Sequence, residues 1–332
     1  MNKFKKVLKE INKHKNFLIT SHINPEGDSI GSQLAFLYLL KVMGKNARIL
    51  NSGKPGPKYK FLPNSKKILT KINKDTRYDA ICFLDCADIK RIGGIYEVID
   101  LSKPKINIDH HLSNKRFGNV NLIDSRASST AEILYILFKE AKVKINKETA
   151  ICLYTAILTD TGSFNYSNVT SFTHKVVSHL IDAGVDTNNI YKKVYEEISP
   201  SAMRLLGSAL STLKLSPNKR IAWMQITKDM LKKCGAGLGE QENFINFPRS
   251  IKGVKIAILF TEIAPGKIKV NLRSNDDIDV NEIASHFGGG GHRKASGCTI
   301  KGSLAEAKKK VLSEIKIAPF AFPNGAYTKC RI

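Results

Sequence analysis

The sequence predicts an α/β protein of two domains: an amino-terminal domain with a mostly parallel sheet flanked by helices, and a smaller α/β domain after it. Three observations predict it. Short apolar runs alternate with helical stretches through about residue 197, the pattern of a parallel sheet with crossover helices. Several of those runs end on acidic or histidine-bearing segments, where strands of a parallel sheet open into a crevice. The rhythm then changes after Ser199-Pro200-Ser201, and 332 residues suit two domains, each long enough to bury a core.

Taken in order, Phe4, Val7, Leu8 and Ile11 mark an amphipathic amino-terminal helix among lysines. Phe17 to Thr20 is a short buried strand that delivers Ser21-His22-Ile23-Asn24-Pro25-Glu26-Gly27-Asp28. Pro25 and Gly27 fix a turn, and a helix follows from about Ser29 to Met43 with Gly44 just beyond its end. Ala47 to Leu50 is the next strand, and a Pro- and Gly-rich loop follows (Gly53 to Pro57). Asp79 to Asp85 repeats the first arrangement, an apolar run closing on a carboxylate, and Asp88 and Gly93-Gly94 follow. Lys105 to Ile108 leads into Asp109-His110-His111, and Asn119 to Ile123 is a further strand. Ser129-Thr130-Ala131-Glu132 has the spacing of a capping box for a helix over Ala131 to Ala141. The helix Lys147 to Thr159 ends at Asp160-Thr161-Gly162-Ser163-Phe164, and helices over Ser171 to Ala183 and Thr187 to Glu197 close the domain.

The boundaries read as 1–198 for the first domain, 199–213 for a linker helix (Ala202 to Leu213) and 214–332 for the second. Strands over Arg220 to Ile226, Val254 to Thr261 and Lys267 to Arg273 surround a helical region near Asp229 to Asn246. Asp279 and Glu282 cap a helix through His286. Next comes Gly288-Gly289-Gly290-Gly291-His292-Arg293-Lys294, read as an anion cradle: bare amides from the glycines, with charge and donors from the basic residues. A flexible hinge is the alternative. A strand (Cys298 to Lys301) and a helix (Leu304 to Ile315) complete the reading.

The formal charge of +24 favours polyanionic partners. Lysine-rich surfaces throughout would give the same sum, so charge alone does not establish nucleic-acid binding. Six cysteines occur without a C-x-x-C spacing and read as reduced core residues of a cytoplasmic protein. The amino terminus lacks the apolar core of a secretory signal. The longest apolar run, Leu34 to Val42, is interrupted by Lys41 and is too short for a membrane span.

Four clusters carry the chemistry. His22, Glu26 and Asp28 fall within one turn between strand and helix, and their mixed imidazole and carboxylate character suits a hard divalent ion such as Mn²⁺. An acidic helix start with Asp28 as cap gives the same local pattern. Asp85 closes the second such strand. In Asp109-His110-His111 adjacent residues at a strand end point in different directions, so one imidazole can reach a metal and its neighbour a substrate. Asp160 stands beside small residues that let a phosphate approach.

Together these stretches resemble the DHH/DHHA1 phosphoesterase family, in order over nearly the whole chain. Ser21 to Asp28 looks like its first motif, Asp85 its second, Asp109-His110-His111 its third and Asp160 to Phe164 its fourth. Gly288 to Gly297 looks like the signature of its DHHA1 domain, and the two-domain layout is most similar to the nanoRNase group. The resemblance implies an active site in an inter-domain cleft and two divalent cations, Mn²⁺ foremost with Mg²⁺ or Co²⁺ as alternatives. It implies that His22, Glu26 and Asp85 hold one cation and Asp28, Asp85, His110 and Asp160 the other. His111 would face the substrate phosphate, and Asp109 would orient the imidazoles. Arg273, Gly289, Gly290, Gly291, His292 and Arg293 would grip the nucleotide. Glu26 stands where the family's usual residue is Asp, so either the loop gives way or the first metal is held more weakly. Asn165 stands where many relatives carry a basic residue.

The implied activity is hydrolysis of short oligoribonucleotides and removal of the 3′-phosphate of 3′-phosphoadenosine 5′-phosphate. The implied partners are short single-stranded RNA and small nucleotides, with neither a membrane nor a stable protein partner; a homodimer stays open. A processive single-strand exonuclease would need more chain, and a pyrophosphatase would lack the glycine signature. A cyclic- or linear-dinucleotide phosphodiesterase and an inactive RNA-binding module remain as alternatives.

Overall fold

The computed structural model describes residues 2–71, 76–241, 243–275 and 278–317. The chain forms two compact units that divide after Glu197. In the first, α1 (Lys3–Lys13), β1 (Asn16–Thr20), α2 (Gly27–Val42), β2 (Asn46–Leu50), β3 (Ile68–Leu69), β4 (Ala80–Leu84), β5 (Lys105–Asp109) and β6 (Val120–Ile123) are followed by four helices. These are α3 (Thr130–Glu140), α4 (Lys147–Asp160), α5 (Ser171–Asp182) and α6 (Thr187–Tyr191). The six strands are all parallel, in the order β3-β2-β1-β4-β5-β6.

Both faces of this sheet are covered, which is why its strands read as continuous apolar runs. Alternate residues serve alternate faces. Phe17, Ile19, Cys82, Leu84, Ile106 and Ile108 pack against α2, α3 and α4, while Leu18, Ile81 and Phe83 pack on Ile92, Ile95 and Ile99. Helices α2 and α4 run antiparallel and almost touch at Gly31. A Cβ there would lie 2.3 Å from the Cys152 carbonyl oxygen and 2.9 Å from the Ala156 Cβ. That approach brings the start of α2, with Asp28, beside the end of α4, with Asp160. The helix expected to run to Glu197 stops at Tyr191 and widens into a π turn over Lys192–Glu196, where Glu197 N bonds Lys192 O at 2.9 Å.

The second unit contains α7 (Pro200–Leu210), β7 (Lys214–Leu215), β8 (Ile221–Ile226), α8 (Lys228–Cys234), α9 (Asn246–Arg249), β9 (Ile256–Ala264), β10 (Lys267–Ser274), α10 (Val280–His286), β11 (Gly290–His292), β12 (Ala295–Lys301) and α11 (Leu304–Ile317). Its sheet has the order β11-β12-β10-β9-β8-β7; β8 and β9 pair parallel and the other neighbours antiparallel. The helix read as a linker is part of this unit's core: Leu205, Leu206 and Ala209 of α7 pack with Met224, Ile226, Ala257 and Leu259. An apolar stripe of that width cannot stay in water, so the helix lies on the sheet.

Candidate metal centre

In the first sheet β1 lies between β2 and β4, so the chain leaves β1 in one direction and returns to its other side at β4. At such a switch point the loops after the two strands diverge and leave a crevice at their carboxyl ends. His22 lies two residues past β1, Asp28 is in the first turn of α2, and Asp85 follows β4 directly. Asp109 ends β5 with His110 and His111 next, and Asp160 is the last residue of α4.

Asp85 is the centre of the group. Its backbone is left-handed (φ +54°) while its amide still bonds Ile108 O at 3.0 Å. The two carboxylate oxygens face different neighbours. Oδ2 accepts from Ser29 Oγ at 2.7 Å and lies 3.4 Å from His22 Nε2. Oδ1 lies 3.6 Å from His111 Nδ1 and 3.7 Å from His110 Nε2, and accepts from Thr130 Oγ1 at 3.3 Å. Beyond it, His110 Nε2 is 3.3 Å from Asp160 Oδ2 and 3.8 Å from Asp28 Oδ2. Donor atoms of Asp85, Asp109, His110 and His111, and again of Asp28, His110 and Asp160, lie within 4.8 Å of one another.

The surrounding contacts aim these side chains. His110 Nδ1 is 3.3 Å from the Ala127 carbonyl, which can only accept, so the neutral ring carries its proton there and turns Nε2 toward the carboxylates. His111 Nδ1 is 2.7 Å from Asp109 Oδ1, which turns its Nε2 away from that carboxylate. Asp109, fully buried, also accepts from the His110 amide at 2.8 Å and from Asn114 Nδ2 at 2.6 Å. It therefore orients the His111 ring but not the His110 ring, which the Ala127 carbonyl holds. Asp28 accepts from the amides of Thr130 (2.7 Å) and Ala131 (3.1 Å), at the positive end of α3, and from Ser32 Oγ (3.0 Å).

Burial, with the charges of Asp85 and Asp160, pushes the Asp28 carboxyl well above its usual range, and burial followed by Asp85 does the same to Asp160. Burial also works against the Asp85 carboxylate, yet the His22 hydrogen bond and the charges of His111, His22 and His110 hold it well below. Burial opposes protonation of His22 and His111, and their bonds to Asp85 and Asp109 outweigh it and raise both. So many acceptors packed out of water lack positive charge, and imidazolium protons only partly supply it. This donor set fits divalent cations bound by carboxylate and imidazole.

Two expected ligands stand apart from those two groups. His22 reaches them only through Asp85 and Ser29 Oγ, the latter at 3.0 Å. Glu26 is the exposed N-cap of α2, with an extended backbone (φ −97°, ψ −167°), and its charge still acts on Asp160. Sequence reasoning missed Ser29, Asn114 and Thr130. Ser29 and Asn114 were findable as small polar residues beside the motifs, but the amides of Thr130 and Ala131 leave no trace in a sequence.

In the second unit the second half of the glycine run, Gly290 and Gly291, lies in a strand and does not form an open cradle. β11 pairs with β12 through Gly290↔Gly297, Gly291↔Ser296 and His292↔Ala295. The amides of Gly288, Gly289 and Gly291 are already engaged, by Ser285 O (2.9 Å), Ala284 O (2.9 Å) and Asn281 Oδ1 (2.8 Å). The glycines serve close packing: a Cβ at 289 would lie 2.2 Å from Gly297 O, and one at 291 would lie 2.5 Å from Ala295 O. Arg273, half-buried on β10 opposite Ala295, donates Nη1 to Leu272 O at 3.1 Å, and Arg293 is exposed just past β11. The His292 side chain lies outside the described residues.

The DHH family, N-terminal domain matches residues 16–157, and the DHHA1 domain matches residues 231–317. A bifunctional oligoribonuclease and PAP phosphatase, NrnA, of Thermus thermophilus is 30% identical over 90% of this chain and 88% of its own length. The chain belongs to the DHH family. Its NrnA relative in Bacillus subtilis is 28% identical over 89% of this chain and 92% of its own. Among solved structures, this DHH-family chain is similar to an exopolyphosphatase-related protein from Bacteroides fragilis, with a TM-score of 0.87 and 31% identity, covering 95% of each chain. It shares the fold alone with RecJ from Thermus thermophilus in complex with Mn²⁺ (TM-score 0.51, 12% identity, 95% of this chain and 54% of that one). As a family member it is a phosphoesterase with a metal-binding cluster of buried Asp and His residues. Among the described residues no helix is long and apolar enough to cross a membrane.

Proposed function

We propose that this DHH phosphoesterase hydrolyses short oligoribonucleotides to mononucleotides and removes the 3′-phosphate of 3′-phosphoadenosine 5′-phosphate to leave AMP, as a cytoplasmic enzyme. The observation that carries the reading is Asp85, whose Oδ2 faces His22 while its Oδ1 faces His110 and His111. The names of the relatives in Thermus thermophilus and Bacillus subtilis supply the substrate class.

His22, Glu26 and Asp85 would hold one divalent cation and Asp28, Asp85, His110 and Asp160 the other, with Mn²⁺ the first choice for carboxylate and imidazole donors. Bound cations would lower the pKa of an attacking water and offset charge on the phosphoryl oxygens. The chain's own part is positioning. Asp109 fixes His111 so that Nε2 is turned away from it, and a protonated His111 would offer a charge-assisted hydrogen bond to a phosphate oxygen. Arg273, Arg293 and His292 would hold the nucleotide away from the reacting phosphorus, without the glycine amides, which the fold already uses. A cyclic- or linear-dinucleotide phosphodiesterase would use the same cluster, and an inactive RNA-binding module would have no use for it.

A side-by-side Mn²⁺-dependent assay tests the reading on 3′-phosphoadenosine 5′-phosphate, RNA of two to five and of about twenty nucleotides, a cyclic dinucleotide and pyrophosphate. Turnover of the first two substrates above the others is expected. Faster cleavage of the cyclic dinucleotide, or no turnover of any ester, would reject it.

A further inference from the structure

Glu132 was expected to reach back to the start of its own helix as the second half of a capping box. Ser129 does cap α3, accepting from the Glu132 amide at 3.2 Å. The Glu132 side chain turns inward instead and is 4% exposed. One of its oxygens, Oε2, accepts from Ser128 Oγ at 2.6 Å and from Thr173 Oγ1 of α5 at 2.8 Å. A second clamp acts on the same loop. Asn168 donates Nδ2 to Ser128 O at 2.8 Å and to Asp160 O at 3.1 Å. Both neighbours are carbonyls, so the amide has only one workable orientation.

The loop these residues grip supplies the Ala127 carbonyl to His110, the Thr130 and Ala131 amides to Asp28, and the Thr130 hydroxyl to Asp85. Asn168 also holds the last turn of α4, which carries Asp160. Four of the five contacts lead to Asp28, His110 or Asp160; the fifth, from the Thr130 hydroxyl, reaches Asp85, which the two sites share, and none leads to His22 or Glu26. We infer that Glu132 and Asn168 are positioning residues for one cation site, the one built from Asp28, His110 and Asp160. They fix the affinity of that site separately from its neighbour's. The inference rests on the two-cation reading given above.

The test is Mn²⁺ titration of the metal-free full-length protein by calorimetry, with electron paramagnetic resonance to separate a coupled Mn²⁺ pair from an isolated ion. In Asn168→Ala and Glu132→Ala, the first ion should bind within about twofold of the unsubstituted protein and the second about ten- to a hundredfold more weakly, the usual effect of removing a residue that orients a ligand. The coupled signal should fade accordingly. Glu132→Gln should restore it, because one amide oxygen can accept from both Ser128 and Thr173 in place of Oε2. Asn168→Asp should be worse than the alanine variant, since it sets a carboxylate against two carbonyls. Folded alanine variants that bind both ions normally would overturn the assignment. So would equal weakening of both ions together with a lowered Tm, the mark of a merely structural role. Fewer than two Mn²⁺ on the unsubstituted protein would instead bring down the two-cation reading, and this assignment with it.

Discussion

Asp85 occupies a backbone region that few side chains tolerate, and Asp and Asn are the commonest exceptions besides glycine. Asp85→Asn should therefore keep the fold while withdrawing charge from both proposed cation sites at once. Turnover at saturating Mn²⁺ is expected to fall below about a tenth of normal, as for loss of a group acting on both metals. The far-ultraviolet spectrum and Tm should barely move, and a variant retaining more activity would deny Asp85 its shared role. At this scale the sequence was most informative about side chains, because an apolar run ending in Asp or His marks a strand end facing a crevice. It was silent about the Ala127 carbonyl and the Thr130 and Ala131 amides, which any residue could supply.

At the scale of elements, the contact between α2 and α4 decides whether Asp28 and Asp160 meet. Gly31→Ala would gain about 1 kcal/mol of helix propensity. Overpacking against the Cys152 carbonyl, a backbone atom that cannot rotate aside, costs about 1–3 kcal/mol. The expected result is a lower Tm with weaker Mn²⁺ binding, checked by melting and titration; a more stable variant with normal binding would refute it. A second tie joins β1 to β4: Asp79 accepts from the amides of Lys15 (3.1 Å) and Asn16 (2.8 Å) and from Asn16 Nδ2 (3.1 Å). The Asn16 amide foremost, ahead of an opposing burial cost, holds its carboxyl below the ordinary value. A depressed folded-state value gives stability that is present above the unfolded value, near pH 4, and lost as pH falls through the folded one. Asp79→Asn should lower Tm at pH 7, and the difference from the unsubstituted protein should close below about pH 4. A difference that does not shrink as pH falls below about 4 would point to geometry in place of charge. Elements that were hard to read were those whose pairing comes from elsewhere in the fold. β3 has two residues, and β11 is mostly glycine, which taken locally signals a loop.

At the scale of the whole molecule, the proposed chemistry and the proposed grip fall on different units: the proposed metal ligands precede Glu197, and Arg273 and Arg293, the proposed nucleotide contacts, follow it. Losing a charged hydrogen bond to phosphate costs about 1.5–3 kcal/mol, or roughly ten- to a hundredfold in kcat/KM. Arg273→Ala should raise KM for short RNA by about that factor with Mn²⁺ stoichiometry unchanged, as expected for a contact made equally in ground and transition states. The loss should shrink on a small generic phosphodiester, and equal losses on both substrates would place Arg273 at the reaction centre. The two-domain division was legible because a change of rhythm survives in any sequence. The role of α7 was not, since an amphipathic helix at a boundary does not say which sheet it covers.

That division also has a temporal meaning. Every donor from His22 to Asp160 lies on one uninterrupted stretch of chain, and synthesis proceeds from the amino end with domains folding as they emerge. The proposed metal centre should thus be complete while the second unit is still being made. Ribosome-stalled chains ending within the second unit are expected to retain Mn²⁺ already, measurable as bound metal on isolated complexes, and metal-free complexes would contradict this. Until translation ends, such a chain would carry a metal centre before the unit proposed to choose what enters it.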